Sequence, residues 1–144
     1  MESKIFVYAL LGMVLLVAGG SIVFAQEEEE QGHVFTISTF KVSFGKLDEY
    51  LELWDKESTP LIKKNEFILS HRVFTHSYGP DWNIVVITEY ENLSAIESAN
   101  KKSKELFKEK YPDEDKLDEI YKQFGSYILA HTDAIVRERP KLRK

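Results

Sequence analysis

The chain of 144 residues contains no cysteine. No disulfide can staple it, no CxxC pair can hold zinc, and no lipid can be attached after the apolar run near its start. Basic residues are in deficit: 19 Lys and Arg against 24 Asp and Glu leave a net charge of −5, which argues against a nucleic-acid partner. Also missing are a P-loop, a dinucleotide-binding glycine fingerprint, HExxH and a GxSxG nucleophile elbow. Lone Ser, His and Asp residues therefore lack a catalytic context, and phosphate, nicotinamide and zinc chemistry have no motif to stand on. No cofactor is implied. Proline is scarce, with four in the chain, and each marks a break: Pro60, Pro80, Pro112 and Pro140.

What is present centres on Glu66–Glu91, EFILSHRVFTHSYGPDWNIVVITEYE. Two runs rich in β-branched and aromatic residues, Phe67–His76 and Trp82–Tyr90, flank the turn-forming Ser77-Tyr78-Gly79-Pro80-Asp81. The pattern predicts an antiparallel hairpin. Strand side chains alternate between faces. Phe67, Leu69, His71, Val73 and Thr75 share one face of the first strand, and Ile68, Ser70, Arg72, Phe74 and His76 the other. In the second strand Trp82, Ile84, Val86, Thr88 and Tyr90 oppose Asn83, Val85, Ile87 and Glu89. Large apolar groups lie on both sides of both strands, whereas a sheet with one wet face alternates more cleanly. Both faces should be covered, one by helices and the other by a second copy of the chain.

The first 25 residues read as a secretory signal: Lys4 supplies the positive start, Ile5–Ala18 the apolar core, and Val23-Phe24-Ala25 the cleavage site. The apolar stretch is short for a membrane span, which needs ~20 residues, and Gly19-Gly20-Ser21 interrupts it. The expectation is an exported protein, periplasmic or secreted, with no membrane attachment after cleavage. Residues 26–32 (QEEEEQG) form an acidic linker, residues 33–140 a single domain, and residues 141–144 a basic tail.

Within the domain, His33–Phe44 predicts a first strand. Lys46–Asn65 predicts an amphipathic helix with Leu47, Tyr50, Leu51, Trp54, Ser58, Leu61 and Ile62 on one stripe. Pro60 should leave a carbonyl unpaired and kink this helix near Lys56–Glu57. Asn92–Tyr111 predicts a second helix capped by Asn92, with Leu93, Ile96, Ala99, Ser103, Leu106 and Phe107 as its stripe. A third, capped by Asp113 or Asp115, carries Leu117, Ile120, Tyr121 and Phe124. It either ends at Gly125 or continues through Tyr127 and Ile128 to about Ala130. Thr132–Glu138 predicts a short edge strand. The order is β-α-β-β-α-α-β.

That order, with its two-piece second helical unit, resembles the ferredoxin-like dimeric α/β-barrel superfamily, which includes antibiotic-biosynthesis-type monooxygenases, stress-responsive barrel proteins and the NIPSNAP-like group. HRVFTHSYG at 71–79 before Asp81-Trp82 is similar to the second strand and turn of small exported bacterial members, and HTDAIV at 131–136 before Pro140 to their last strand. The resemblance covers Val34 to Pro140. It implies an α+β fold: a four-stranded antiparallel sheet with helices on one face, dimerising through the other.

Five residues are candidates for a ligand site. Arg72, His76 and Tyr90 would line a cavity, with Arg72 paired because a buried guanidinium must be. Glu89 is its possible partner, although alternation sets it on the opposite face. His131 and Asp133, two apart on a strand, would share a face, a spacing that can orient an imidazole for acid–base work. His71 and His76, five apart, fall on opposite faces and cannot share a metal ion, so His71 reads as a packed or surface histidine. These features point to a homodimer that binds a small apolar or aromatic molecule between helices and sheet. The alternative is a cofactor-independent, monooxygenase-like enzyme using His76, Arg72 and His131.

Overall fold

A computed structural model describes residues 32–78 and 82–144. The expected signal and most of the acidic linker, with Gly79-Pro80-Asp81 of the expected turn, lie outside the described residues.

Four strands form one antiparallel sheet: β1 (Val34–Val42), β2 (Ser70–Thr75), β3 (Ile84–Tyr90) and β4 (Ile128–Arg137), in the order β2-β3-β1-β4. Among the described residues four helices accompany it: α1 (Leu47–Glu57), the one-turn α2 (Thr59–Ile62), α3 (Leu93–Lys110) and α4 (Glu114–Tyr127). A 3-10 turn at Pro140–Leu142 closes the chain. This is the α+β, ferredoxin-like architecture that the element order implied.

Register assigns the faces. His71 pairs with Thr88 and Val73 with Val86, while Thr36, Ser38 and Phe40 of β1 stand opposite Thr88, Val86 and Ile84. Alternation from these pairs places Ile84, Val86, Thr88 and Tyr90 on the helical side, where all four are buried. Val42, Tyr50, Ile84 and Val86 centre the core, packed by Phe40, Leu47, Leu51, Trp54, Val73, Phe124, Tyr127 and Ile128.

The opposite face carries Phe35, Ile37, Val85, Ile87, Phe74, Ala134 and Val136, and no described helix packs over it. Phe74 is 46% exposed and Val136 41%. The two-sided apolar character read from the sequence is therefore real, and among the described residues helices pack on one side.

Several boundaries differ from expectation for identifiable reasons. The kink is a break at Ser58, and Pro60 sits in the first turn of α2, where a missing N–H costs nothing. The Lys56 carbonyl that Pro60 cannot serve accepts from Lys110 Nζ at 3.1 Å. Leu53 and Glu57, absent from the expected stripe, are buried, whereas Leu93 and Tyr121 are exposed. α3 is capped as expected, Asn92 Oδ1 accepting from Ala95 N. Asp113 caps α4, which runs through Gly125.

Residues 128–131 belong to β4, not to the helix. Ile128 packs on the core in either conformation, so its apolarity could not decide between them; pairing with Val42 does. Gly32 packs so closely on Glu138 that a Cβ would lie 2.6 Å from the Glu138 carbonyl oxygen, which excludes larger residues there.

Candidate functional site

The sheet separates the residues that were expected together. Tyr90 faces the helices, 6% exposed and opposite Val34. Arg72 is on the other face, opposite Ile87, and exposed. His76 follows the end of β2, exposed, with its backbone N–H donating to the Asn83 carbonyl. Arg72, His76 and Tyr90 therefore do not line one cavity. The expected separation of Arg72 from Glu89 is also reversed, because Ser70 pairs with Glu89 and puts both acid and guanidinium on the open face. Glu89 accepts from Ser70 Oγ at 2.5 Å and meets His33 Nδ1 at 2.7 Å. These two bonds, with the Arg72 charge, hold its carboxyl below the usual range despite partial burial.

His131 and Asp133 do share a face. Both are on the helical side of β4, with Nε2 and Oδ2 3.5 Å apart and side chains 58% and 59% exposed. Ser38 on β1 joins them, its hydroxyl donating to Asp133 Oδ1 at 2.6 Å. The His131 ring stacks on Phe40, centroids 6.0 Å apart. In this row the carboxylate lies between hydroxyl and imidazole, so it orients both and does not make Ser38 a nucleophile.

A second place was not legible as a site. His71 and Trp54 stack at 5.9 Å with their planes 17° apart, β2 supplying one ring and α1 the other. His71 Nδ1 hydrogen-bonds Thr88 Oγ1 at 2.9 Å. His71 Nε2 and Trp54 Nε1 are both buried, and neither has a partner among the described residues. Burial pushes the imidazole pKa down, so the ring is held neutral. Beside it a cleft of about 310 Å³ is lined by Thr59, Ile62, Lys63, Ile68, Leu69, Ser70 and His71. It lies at the seam between α2 and the chain entering β2. The hint in the sequence was a lone imidazole on an apolar face, alternating with Leu69 and Val73.

The two places are joined through the core. His71 stacks on Trp54, Trp54 meets Phe40 edge-on at 6.1 Å, and Phe40 stacks on His131. Among the described residues no group of three or more His, Asp or Glu side chains could hold a metal ion.

No protein-family model and no curated protein matches the chain. Solved structures do. A NIPSNAP family protein from Agrobacterium tumefaciens str. C58 superposes with a TM-score of 0.58 at 16% identity, covering 75% of this chain and 87% of that one. A dimeric ferredoxin-like protein from an uncultured marine organism gives 0.58 at 10% identity over 77% and 90%. A candidate antibiotic biosynthesis monooxygenase from Caulobacter crescentus CB15 gives 0.54 at 14% identity over 76% and 92%. At these identities what is shared is the fold.

Proposed function

We propose that the protein is an exported homodimer that binds a small apolar or aromatic molecule in the cleft beside His71. The observation that carries the binding reading is the neutral, buried imidazole: one nitrogen is fixed by Thr88, the other is unpartnered, and the ring borders the cleft of about 310 Å³. Small-molecule pockets are mainly apolar with a few convergent polar groups, and span ~300–1,000 Å³. Ile62, Ile68 and Leu69 would supply the contact area, with Trp54 backing the imidazole. The dimer reading is supported by the uncovered apolar sheet face and by the dimeric ferredoxin-like protein of similar fold. Export is supported by the charge and hydropathy pattern of Met1–Ala25, and N-terminal sequencing of the protein from its native host should then find Gln26 first. A thermal-shift series with one- and two-ring aromatic compounds tests the binding. Stabilisation should appear in the wild type and vanish in His71→Ala; retention in that variant would remove His71 from the site.

A monooxygenase-like activity is the second reading, favoured by the Ser38–Asp133–His131 row and the Caulobacter neighbour. Here His131 would take a proton from an electron-rich aromatic substrate, oriented by Asp133. Oxygen uptake in the presence of a hydroquinone, abolished by His131→Ala, is the result this reading requires.

A further inference from the structure

The chain is acidic, with 24 Asp and Glu among its residues, yet among the described residues no carboxylate lines the cleft beside His71. Its polar residues are Lys63, Thr59, His71 and Ser70, and the Ser70 hydroxyl is turned to Glu89 on the open face. Lys63 follows α2 directly and is exposed. No carboxylate pairs with it among the described residues, although four other lysines have acidic partners: Lys46 with Glu49, Lys56 and Lys110 with Glu57, and Lys102 with Glu66. Glu66, the acid nearest to Lys63 in sequence, is held by Lys102 at 3.7 Å across to α3. An unpaired cation on the wall of an apolar cleft is a binding determinant for an anion attached to an apolar body.

We infer that the cleft selects a small apolar acid, one whose carboxylate or enolate meets Lys63 while its hydrocarbon body rests on Ile62, Ile68 and Leu69. This rests on the binding reading above and narrows its ligand class. A cationic ligand would be repelled by the ammonium, and a purely hydrocarbon one would gain nothing from it. His71 Nδ1 is taken by Thr88 and Nε2 is buried, so the discrimination between an acid and its uncharged isostere falls on Lys63.

The test compares 1-naphthoate with the uncharged 1-naphthamide, by calorimetric titration against the full protein and against Lys63→Gln and Lys63→Arg. Because Lys63 is exposed, neither substitution disturbs the core. The wild type should bind the acid about tenfold more tightly than the amide, the scale of one charge-assisted hydrogen bond. Lys63→Gln should remove that preference, and Lys63→Arg should restore it. Equal affinity for acid and amide in the wild type, or a preference that survives Lys63→Gln, would overturn the inference and leave the cleft standing as an uncharged binding site. Binding of neither probe would overturn both this inference and the reading beneath it.

Discussion

A carboxylate without solvent must be paired or neutral, and Glu57 is paired. It is 1% exposed, accepts from Lys110 Nζ at 2.7 Å and from the Tyr111 hydroxyl, and lies 3.3 Å from Lys56 Nζ. Burial opposes its charge, but these partners outweigh it and hold the carboxyl below its ordinary value of 4.5. Burial, together with the same contact, pushes Tyr111 up to about 12. A group with a depressed folded-state pKa adds its stability in full above the unfolded value and loses it as pH falls through the folded one. Glu57→Gln should therefore cost about 3 kcal/mol at neutral pH in urea unfolding, with the cost shrinking below pH 4.5. A penalty that did not change with pH would mean that the charge is not what stabilises. His71 follows the same sign: its pKa is lowered by burial, so acidification below the ordinary value of 6.5 should destabilise the wild type. His71→Gln should flatten that slope. Neither residue's role was legible beforehand. Glu57 reads as a solvated charge near the end of an amphipathic helix, because its partners Lys110 and Tyr111 are more than fifty positions away. The pairing of His131 with Asp133 was legible because two residues apart on a strand fixes their side without knowledge of register. Arg72, Tyr90 and Glu89 required the register, which apolar pattern alone does not set.

At the level of elements, apolar periodicity located every strand and long helix and failed mainly at junctions. α4 was left with two possible ends because Gly125 can stop a helix or sit inside one. It sits inside, with no neighbouring atom within 4 Å of where a Cβ would be. Gly125→Ala should consequently stabilise the protein by about 1 kcal/mol, the propensity difference at an unhindered helix position, visible as a raised Tm. A lowered Tm would show that this position is not helical in solution. Removing the α3 cap with Asn92→Ala should cost about 1 kcal/mol, since Asn92 Oδ1 is the side-chain acceptor for the Ala95 N–H. The break at Ser58 is the most informative junction. Pro60 announced it, but the amine that serves the stranded Lys56 carbonyl comes from the far end of α3, and local sequence cannot name such a partner.

For the whole molecule, the decisive feature is the sheet face that the described residues leave open. Phe35, Ile37, Val85, Ile87, Phe74, Ala134 and Val136 make it apolar, and the charged group Glu89, Arg72 and His33 sits at one end. A contiguous apolar face of that kind marks an interaction surface. In the proposed dimer a second copy would meet it with the same chemistry, and the off-centre charged group would fix how the two sheets align. Ile87→Asp places a charge in the middle of that face and away from the helical core, so it should dissociate the proposed dimer and leave the secondary structure intact. The most direct test is the mass of the purified protein in solution by light scattering at micromolar concentration. The account requires twice the mass of one chain, falling to one chain in Ile87→Asp; a wild-type protein that stays at one chain mass would contradict it.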